Sequence, residues 1–220
     1  MRATVLAGTG RYGDPWHPFL STSSRLADLL RHAGFEVTVA EDVDEGLAHL
    51  DGVDLLVVNA GDPWHGGETG RGAPEASLDS VDAAVDRGIG VLAVHNAIAS
   101  LRDYPHWRRL TGGDWVTGVS GHPPLGPARI RVHPSGPLAG MAVGFDVNDE
   151  RYVDLVVDDD ITVLADHEHE DTVHPLIWTR EQGRCRVAYD ALGHDGRSYD
   201  SPVHRDIIRR LALWATRAEG

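Results

Sequence analysis

The sequence contains no lysine, because all 20 of its basic residues are arginine. Schiff-base chemistry and other lysine-based reactions are therefore excluded. Cysteine is almost as scarce: Cys185 is the only one, so the chain cannot form an internal disulfide. A single cysteine fits a reducing compartment, and we expect a cytoplasmic protein.

Net positive charge and long apolar runs are also missing. The formal net charge is −14, which disfavours nucleic-acid partners because their binding depends on basic patches. No apolar run approaches the roughly 20 residues that span a bilayer, and the first residues lack the pattern of a signal peptide. We therefore expect neither a nucleic-acid partner nor a membrane partner.

The sequence otherwise has the composition of a globular protein, with 41% hydrophobic and 25% charged residues. Its 220 residues contain no repeat and no linker, so we expect one domain spanning residues 1–220. Apolar strand-like runs alternate with amphipathic helical patterns, which predicts an α/β fold with a mostly parallel central sheet. Predicted strands cover residues 2–7, 35–40, 53–59 and 89–94, and predicted helices cover residues 23–33, 75–87, 99–110 and 201–217.

The pattern changes between residues 114 and 173, where proline, glycine and short β-like runs are frequent. We expect a small, peripheral antiparallel excursion there, with strands at residues 128–132, 152–157 and 161–165. Residues 176–179 and 185–191 are predicted to form a hairpin around the turn EQG.

The most distinctive motif is a strand that ends abruptly at His95-Asn96, in the run GIGVLAVHNAIA. In α/β enzymes such a strand-to-helix turn often presents a nucleophile above the carboxyl edge of the sheet. Neither His95 nor Asn96 replaces the Ser or Cys of such a turn. We expect both at a site beside a helix N-terminus, which favours an anion or a developing oxyanion. The alternative is a polar turn whose side chains only cap the helix.

Three further segments follow predicted strands and are expected at the same edge. His194 and Asp195 end the run ALGHD, where Asp195 could hold the imidazole of His194 in one tautomer. The alternative is a loop histidine beside a turn aspartate. His17, in WHP, and Trp64, in DPWH, follow the first and third strands, where aromatic side chains could stack on a sugar ring.

Two acidic segments are weaker candidates. The run NDERY at residues 148–152 joins two short predicted strands, and most acidic loops of this kind are simply solvated. His167 and His169, in DHEHED, are two apart and could chelate a metal ion from an extended segment. Their spacing matches no specific zinc motif, so a polar loop is the favoured interpretation.

Taken in order, these segments resemble the ThuA-like (trehalose-utilisation) family, a branch of the class I glutamine amidotransferase-like superfamily. The resemblance covers nearly the whole chain and is carried by VLAVHNAIAS with YPHWRRLTGG, NDERYV, HPLIWTREQGRCRVAYDALGHD and SPVHRDIIRRLALWA. It implies a flavodoxin-like three-layer sandwich. It also implies that the elbow position, a cysteine in class I amidotransferases, is His95 here, while Cys185 lies elsewhere in a strand. Glutamine hydrolysis through a thiolate is therefore not expected.

The resemblance also implies a set of site residues. Glu150 and Tyr152 match the Asp-Glu-x-Tyr pattern of the family, and His174 matches its His-Pro-x-x-Trp pattern. A group formed by His95, Glu150, His174 and His194 would suit general acid–base work or a divalent metal ion. We expect catalytic roles for His95, His194 and Glu150. Substrate-binding roles are expected for Asn96, His17, Trp64, Tyr152, His174 and Asp195.

The expected function is action on a sugar or keto-sugar derivative by histidine and glutamate acid–base chemistry, either a hydrolysis or an isomerisation. Two alternatives stay open: a non-catalytic ligand-binding or regulatory module, and a metal-dependent hydrolase. No cofactor is required by the motifs, and a divalent metal ion stays open. A sugar-like small molecule is the expected partner, with a homodimer through residues 114–173 as a further expectation.

Overall fold

The computed structural model describes residues 1–65 and 72–218, so part of the glycine-rich stretch between Gly61 and Pro74 lies outside the described part. The strands are β1 (Arg2–Ala7), β2 (Glu36–Ala40), β3 (Leu55–Asn59), β4 (Gly90–Val94), β5 (Gly113–Asp114), β6 (Gly126–Val132), β7 (Gly144–Asp149), β8 (Val156–Val157), β9 (Thr162–His169), β10 (Thr172–Gln182) and β11 (Cys185–Asp190). The helices are α1 (Phe19–His32), α2 (Val43–Ala48), α3 (Glu75–Arg87), α4 (Trp107–Thr111) and α5 (Pro202–Ala215). Nine strands form one sheet in the order β2-β1-β3-β4-β11-β10-β9-β6-β7.

Strands β2, β1, β3, β4 and β11 pair in parallel and form one half of this sheet. Every residue of β3 and β4 is buried, as expected for parallel strands covered on both faces. In register, Val57 of β3 lies between Val5 of β1 and Leu92 of β4. The carboxyl ends of these strands therefore meet at one edge, which is where the predicted site residues were expected.

The other half of the sheet is antiparallel. Strands β10, β9, β6 and β7 follow β11 through four successive antiparallel pairings. They extend the central sheet itself, so the excursion is larger and less peripheral than the sequence predicted. Because the direction reverses at each step, β7 runs in the same sense as β11, and its last residue, Asp149, faces the same edge as the parallel strand ends.

Helices cover both faces of the sheet, which confirms the predicted three-layer α/β sandwich. Helices α1 and α5 contact each other and pack on one face, whereas α2, α3 and α4 enclose apolar residues on the other. The predicted start of α5 is confirmed, because the Ser201 side chain accepts a hydrogen bond from His204 N and Pro202 is the first helical residue. None of the helices in the described part of the chain has the length and apolar character needed to cross a membrane.

One local prediction is wrong, and one short helix was not predicted. The helix predicted at residues 99–110 is replaced by a 3-10 turn, His95–Ala99, and the short helix α4. Leu101 has φ 46° and Pro105 follows Tyr104, and both features are incompatible with a continuous helix. The sequence analysis also missed α2, although Asp42 caps its first turn by accepting a hydrogen bond from Glu45 N.

Candidate functional site

His95 lies at the end of β4, in the sharp turn that the sequence predicted. Its backbone has φ 51°, a left-handed conformation, and its side chain is 1% exposed. Nδ1 lies 2.7 Å from the carbonyl oxygen of Ala191, which follows β11. Since a carbonyl can only accept, Nδ1 carries the hydrogen and Nε2 presents a lone pair, unless the ring is doubly protonated. The predicted oxyanion role of a helix N-terminus is not borne out, because His95 begins a 3-10 turn of only five residues in place of an α-helix.

His17 reaches the same point from the loop after β1, where a tight turn orients it. Asp14 Oδ1 accepts hydrogen bonds from the backbone N–H groups of Trp16 and His17, and the same carboxylate binds His17 Nδ1 at 2.7 Å. His17 Nε2 then lies 3.1 Å from His95 Nε2. Burial lowers the pKa of His17 and outweighs the opposing effect of Asp14, which favours the neutral imidazole.

Glu150 and His194 approach from two other segments. Glu150 directly follows β7, and its Oε2 lies 3.5 Å from His95 Nε2 and 3.4 Å from His194 Nδ1. Its Oε1 lies 3.0 Å from Nδ1 of His122. Burial alone would raise the pKa of Glu150, but contacts with the three imidazoles hold that pKa far below its usual range. The same contact raises the pKa of His194, although partial burial opposes it.

Asp149 connects the segments that carry Glu150 and His194. Its Oδ1 accepts hydrogen bonds from Glu150 N at 2.8 Å and His194 N at 3.1 Å, and its Oδ2 accepts one from Gly193 N at 2.8 Å. A single buried carboxylate therefore joins the end of β7 to the loop after β11.

These contacts create a compact group of ligating atoms. One nitrogen or oxygen from each of His17, His95, Glu150 and His194 lies within 4.8 Å of the others, and we call these four residues the His–carboxylate centre. The Tyr152 hydroxyl lies 3.1 Å from His95 Nε2, and the two rings stack at 4.6 Å. Burial raises the pKa of Tyr152 well above its ordinary value, so the phenol keeps its proton.

A cavity of about 360 Å³ opens beside the His–carboxylate centre. It is lined by Gly13, Asp14, Pro15, Trp16, His17, Asp62, His65, Asn96, Ala99, Trp115, Thr117, His122, Glu150 and Tyr152. Trp16 is 73% exposed, which is unusual for an indole, and it lies in the wall of this cavity. No arginine is among the described residues of the lining, whereas three carboxylates are.

The structure brings together most of the residues singled out in the sequence. The three residues expected to be catalytic, His95, His194 and Glu150, belong to the His–carboxylate centre. Of the residues expected to bind substrate, His17 belongs to the centre as well, and Tyr152 contacts it. Asn96 lines the cavity, and its Nδ2 donates a hydrogen bond to Asp14 Oδ2 at 3.4 Å.

Three predicted site residues lie outside both the centre and the cavity lining. His174 Nδ1 accepts a hydrogen bond from Asp154 N, and its ring packs against His167, so the place expected for His174 is taken by His17. The Asp195 carboxylate accepts hydrogen bonds from Arg197, and the carboxylate beside the His194 imidazole is that of Glu150.

Trp64 is the third of these. It is absent from the cavity walls, to which its own loop contributes Asp62 and His65 instead. Its backbone N–H donates to the Asp62 carboxylate in a tight turn, and this turn accounts for its position.

Cys185 is also remote from the elbow position. It is the first residue of β11, at the opposite edge of the sheet from the site, and its side chain is buried. Burial raises the pKa of its thiol, so it stays protonated. The elbow position is occupied by His95, and the thiol of Cys185 lies at the other edge of the sheet.

Sequence reasoning missed Asp14, His122 and Asp149 as members of the site. Asp14 stands three residues before His17, a spacing typical of a side chain that closes a turn on a following imidazole. Asp149 stands beside Glu150 in the acidic segment. His122, in the sequence GHPP, carries no local signal, because its neighbours in the fold are about 30 residues away along the chain.

Comparisons with known proteins identify related families and folds. The family model ThuA, described as trehalose utilisation, matches residues 2–215. A search of curated proteins finds no match. Among solved structures, a protein from Parabacteroides merdae described as ThuA-like superposes with a TM-score of 0.78 at 17% identity, covering 98% of this chain and 89% of that chain.

Two further solved structures are similar. A ThuA-like protein from Bacteroides uniformis gives a TM-score of 0.72 at 14% identity, with 97% of this chain and 90% of that chain covered. A protein from Thermoplasma acidophilum described as a GMP synthase subunit gives 0.58 at 16% identity, with 99% and 94% covered. At these identities the structural matches establish a shared fold.

Proposed function

Because this chain belongs to the ThuA family, described as trehalose utilisation, we propose that it acts on a neutral sugar or keto-sugar at a divalent metal ion. The ion would be bound by the His–carboxylate centre. The observation that carries this proposal is the approach of two imidazole nitrogens, His17 Nε2 and His95 Nε2, to 3.1 Å.

The hydrogen bonds of the opposite ring nitrogens make this approach informative. His17 Nδ1 donates to the Asp14 carboxylate and His95 Nδ1 donates to the Ala191 carbonyl, which leaves both Nε2 atoms without hydrogen in the neutral rings. Two lone pairs that face each other repel unless a proton or a cation lies between them. A carboxylate or carbonyl behind each imidazole is also the arrangement that orients histidines bound to metal ions.

Three distances between ligand atoms also fit a metal centre, and the ligand atoms of the group all lie within 4.8 Å of one another. Ligand atoms bound at about 2.0–2.1 Å to a tetrahedral zinc ion lie roughly 3.3–3.4 Å from one another. The separations here are 3.1 Å for His17 and His95, 3.4 Å for His194 and Glu150, and 3.5 Å for His95 and Glu150. In addition, His194 Nδ1 is buried and forms no well-aligned hydrogen bond among the described residues, its neighbour being the Glu150 carboxylate at 3.4 Å.

The cavity supports a neutral, polyhydroxylated ligand. His17 and Glu150 belong to both the centre and the cavity wall, so a substrate oxygen could reach the metal ion from the cavity side. A metal ion at this point would polarise a carbonyl or hydroxyl oxygen, in either a hydrolysis or an isomerisation. Trp16 and Trp115 offer apolar ring faces, and the carboxylates of Asp14 and Asp62 accept hydrogen bonds from hydroxyl groups. A phosphorylated sugar would meet these carboxylates without an arginine in the described lining.

Acid–base catalysis without a metal ion is a second candidate, which one observation favours. The raised pKa of His194 beside Glu150 favours an imidazolium that donates a proton at the site. The same residues would then work as a proton-transfer group. As the site of action we propose the cytoplasm, in keeping with the single, buried cysteine.

Metal analysis tests the proposal directly. We expect protein purified without a histidine tag to contain or to bind about one Zn²⁺ or similar ion per chain, measured by elemental analysis and titration calorimetry. His17→Ala and His95→Ala should lose this binding, whereas His32→Ala, at an exposed position on α1, should retain it. A wild-type protein that binds no divalent ion would contradict the metal centre.

The sugar part needs a separate measurement. We expect trehalose, related neutral disaccharides or their keto derivatives to raise the melting temperature or to be turned over only when metal is present. His194→Ala should abolish turnover without unfolding the chain. Turnover that persists after chelation would support the metal-free candidate, and sugar binding without turnover would support a ligand-binding module.

A further inference from the structure

Glu150 presents its two oxygens to different partners. Its Oε2 faces His95 and His194, whereas its Oε1 lies 3.0 Å from Nδ1 of His122. We propose, on the basis of the proposed metal centre, that His122 is a positioning residue that holds the Glu150 carboxylate in the orientation required for metal binding.

The hydrogen on His122 can be assigned from its neighbours. Nδ1 lies within reach of the Glu150 carboxylate and, at 3.2 Å, of the Pro123 carbonyl oxygen. Both neighbours are acceptors, so Nδ1 carries a hydrogen and donates it. A donor to an ionised carboxylate forms one of the stronger classes of hydrogen bond.

The backbone around His122 is fixed to the chain that leaves Glu150. Gly121 and Val153 exchange two backbone hydrogen bonds, of 3.1 and 2.8 Å, and the Ser120 hydroxyl donates to Asp154 O at 3.0 Å. The residue before His122 is therefore paired with a residue three positions after Glu150. This pairing determines where the imidazole lies relative to the carboxylate, independently of the centre itself.

The expected effect of losing His122 follows from this geometry. The Glu150 side chain has three rotatable bonds, and without a donor on Oε1 the carboxylate is free to turn away from His95 and His194. Loss of a group that orients a metal ligand typically weakens metal affinity 10- to 100-fold. The His122 side chain is 41% exposed, so its removal leaves no buried cavity and the fold is expected to survive.

Titration of the metal-free protein with Zn²⁺ tests the inference. We expect His122→Ala to weaken Zn²⁺ binding by 10- to 100-fold. His122→Asn should restore most of the affinity, because the Asn Nδ2 donates from nearly the same position as the imidazole Nδ1. Substitution with Co²⁺ gives a second measurement, since loss of the Glu150 oxygen from the ion would change the visible absorption bands in His122→Ala alone.

His133 provides a matched control. Its imidazole is 43% exposed and lies 2.6 Å from a buried carboxylate, that of Asp166, outside the His–carboxylate centre. His133→Ala should bind Zn²⁺ as the wild type does. If the wild type binds Zn²⁺ and His122→Ala binds it equally tightly, or if His122→Asn is as weak as His122→Ala, the positioning role is overturned. A wild type that binds no Zn²⁺ overturns the proposed function and this role with it.

Discussion

His95 occupies a backbone conformation that carries strain for a residue with a side chain. A non-glycine residue at φ 51° costs roughly 1–3 kcal/mol, and such residues concentrate at functional sites. Three contacts hold it there: Nδ1 donates to Ala191 O, the Tyr189 hydroxyl donates to His95 O at 2.9 Å, and the Tyr152 ring stacks on the imidazole. The conformation points Nε2 at His17, which an ordinary strand or helix residue at this position would not do.

Gly193, the residue before His194, is needed for a similar reason. Its φ is 117°, and a Cβ at this position would lie 2.8 Å from the Tyr199 hydroxyl oxygen and 2.9 Å from Val94 Cγ1. We expect Gly193→Ala to reduce the free energy of unfolding by about 2–4 kcal/mol, from backbone strain and overpacking together. Urea unfolding would measure this loss, with Gly183→Ala as a control.

Gly183 makes the comparison informative, because it also has a positive φ, 58°, but no atom lies within 4 Å of an added Cβ. Its substitution should cost only about 1–2 kcal/mol, the backbone contribution alone. Equal losses in the two variants would show that the crowding around Gly193 has no energetic effect.

At the scale of the elements, the site lies where three parallel strands and one strand of the antiparallel half end. The loops after β1, β4 and β11 carry His17, His95 and His194, and Glu150 follows β7. The end of β7 is held in place by Asp149, which accepts three backbone hydrogen bonds, two of them from the loop after β11 in the parallel half of the sheet.

Asp149 is therefore expected to link stability and site geometry. Asp149→Ala would leave three largely buried N–H groups without an acceptor, and we expect a loss of at least about 3 kcal/mol in the free energy of unfolding. Asp149→Asn, which keeps one carbonyl oxygen, should lose less stability but should still weaken Zn²⁺ binding. Asp146→Ala is the control on the same strand, because its carboxylate is 80% exposed, and it should change stability by less than about 0.5 kcal/mol. Similar stability losses for Asp149→Ala and Asp146→Ala would contradict the linking role.

Sequence patterns predicted the elements that depend on local signals. The buried runs of β3 and β4, the helix α3 with its end at Gly88, and the cap of α5 at Ser201 were all predictable from periodicity and end residues. The rule that parallel strand ends share an edge also placed His95 and His194 together.

Contacts between distant segments could not be predicted in this way. The distance between His122 and Glu150 depends on the pairing of Gly121 with Val153, for which neither segment has a periodic pattern. The replacement of His174 by His17 likewise depends on which face of β10 points to the cavity, a matter of register across the antiparallel half of the sheet.

At the scale of the whole molecule, a buried histidine–aspartate pair joins helix α5 to strand β11 of the sheet. His204 Nε2 lies 2.8 Å from Asp190 Oδ2, and His204 Nδ1 lies 3.1 Å from Ser198 O, with all three residues fully buried. His204 Nδ1 also lies 2.9 Å from the Ser198 hydroxyl, which can donate or accept, so the ring is an imidazolium when Nδ1 donates to the oxygens of Ser198. The other Asp190 oxygen accepts from Leu192 N at 3.0 Å, in the loop that leads to His194.

This pair predicts a specific dependence of stability on pH. Burial alone would lower the pKa of His204, but the Asp190 carboxylate outweighs burial and raises that pKa above the usual value. A group whose pKa is raised on folding stabilises the protein fully below its unfolded pKa of about 6.5 and loses that contribution as the pH rises through the folded value. We therefore expect the wild type to lose part of its free energy of unfolding through this group as the pH rises above about 6.5.

The double variant Asp190→Asn/His204→Gln isolates the contribution of this pair to the free energy of unfolding, because the two amides can still form hydrogen bonds but do not titrate. Urea unfolding at intervals from pH 6 to pH 9 should show the wild type more stable than the variant at pH 6, with the difference shrinking as the pH rises.

Taking the difference at each pH removes the titration of the other histidines, which both proteins share. As a control, His32→Gln should follow the wild type throughout, because His32 is exposed on α1. A difference that stays constant across this range would mean that folding does not raise the pKa of His204, and any pH dependence of the wild type would then have to come from other groups, such as His122 and His194, whose pKa values are also raised by contact with Glu150.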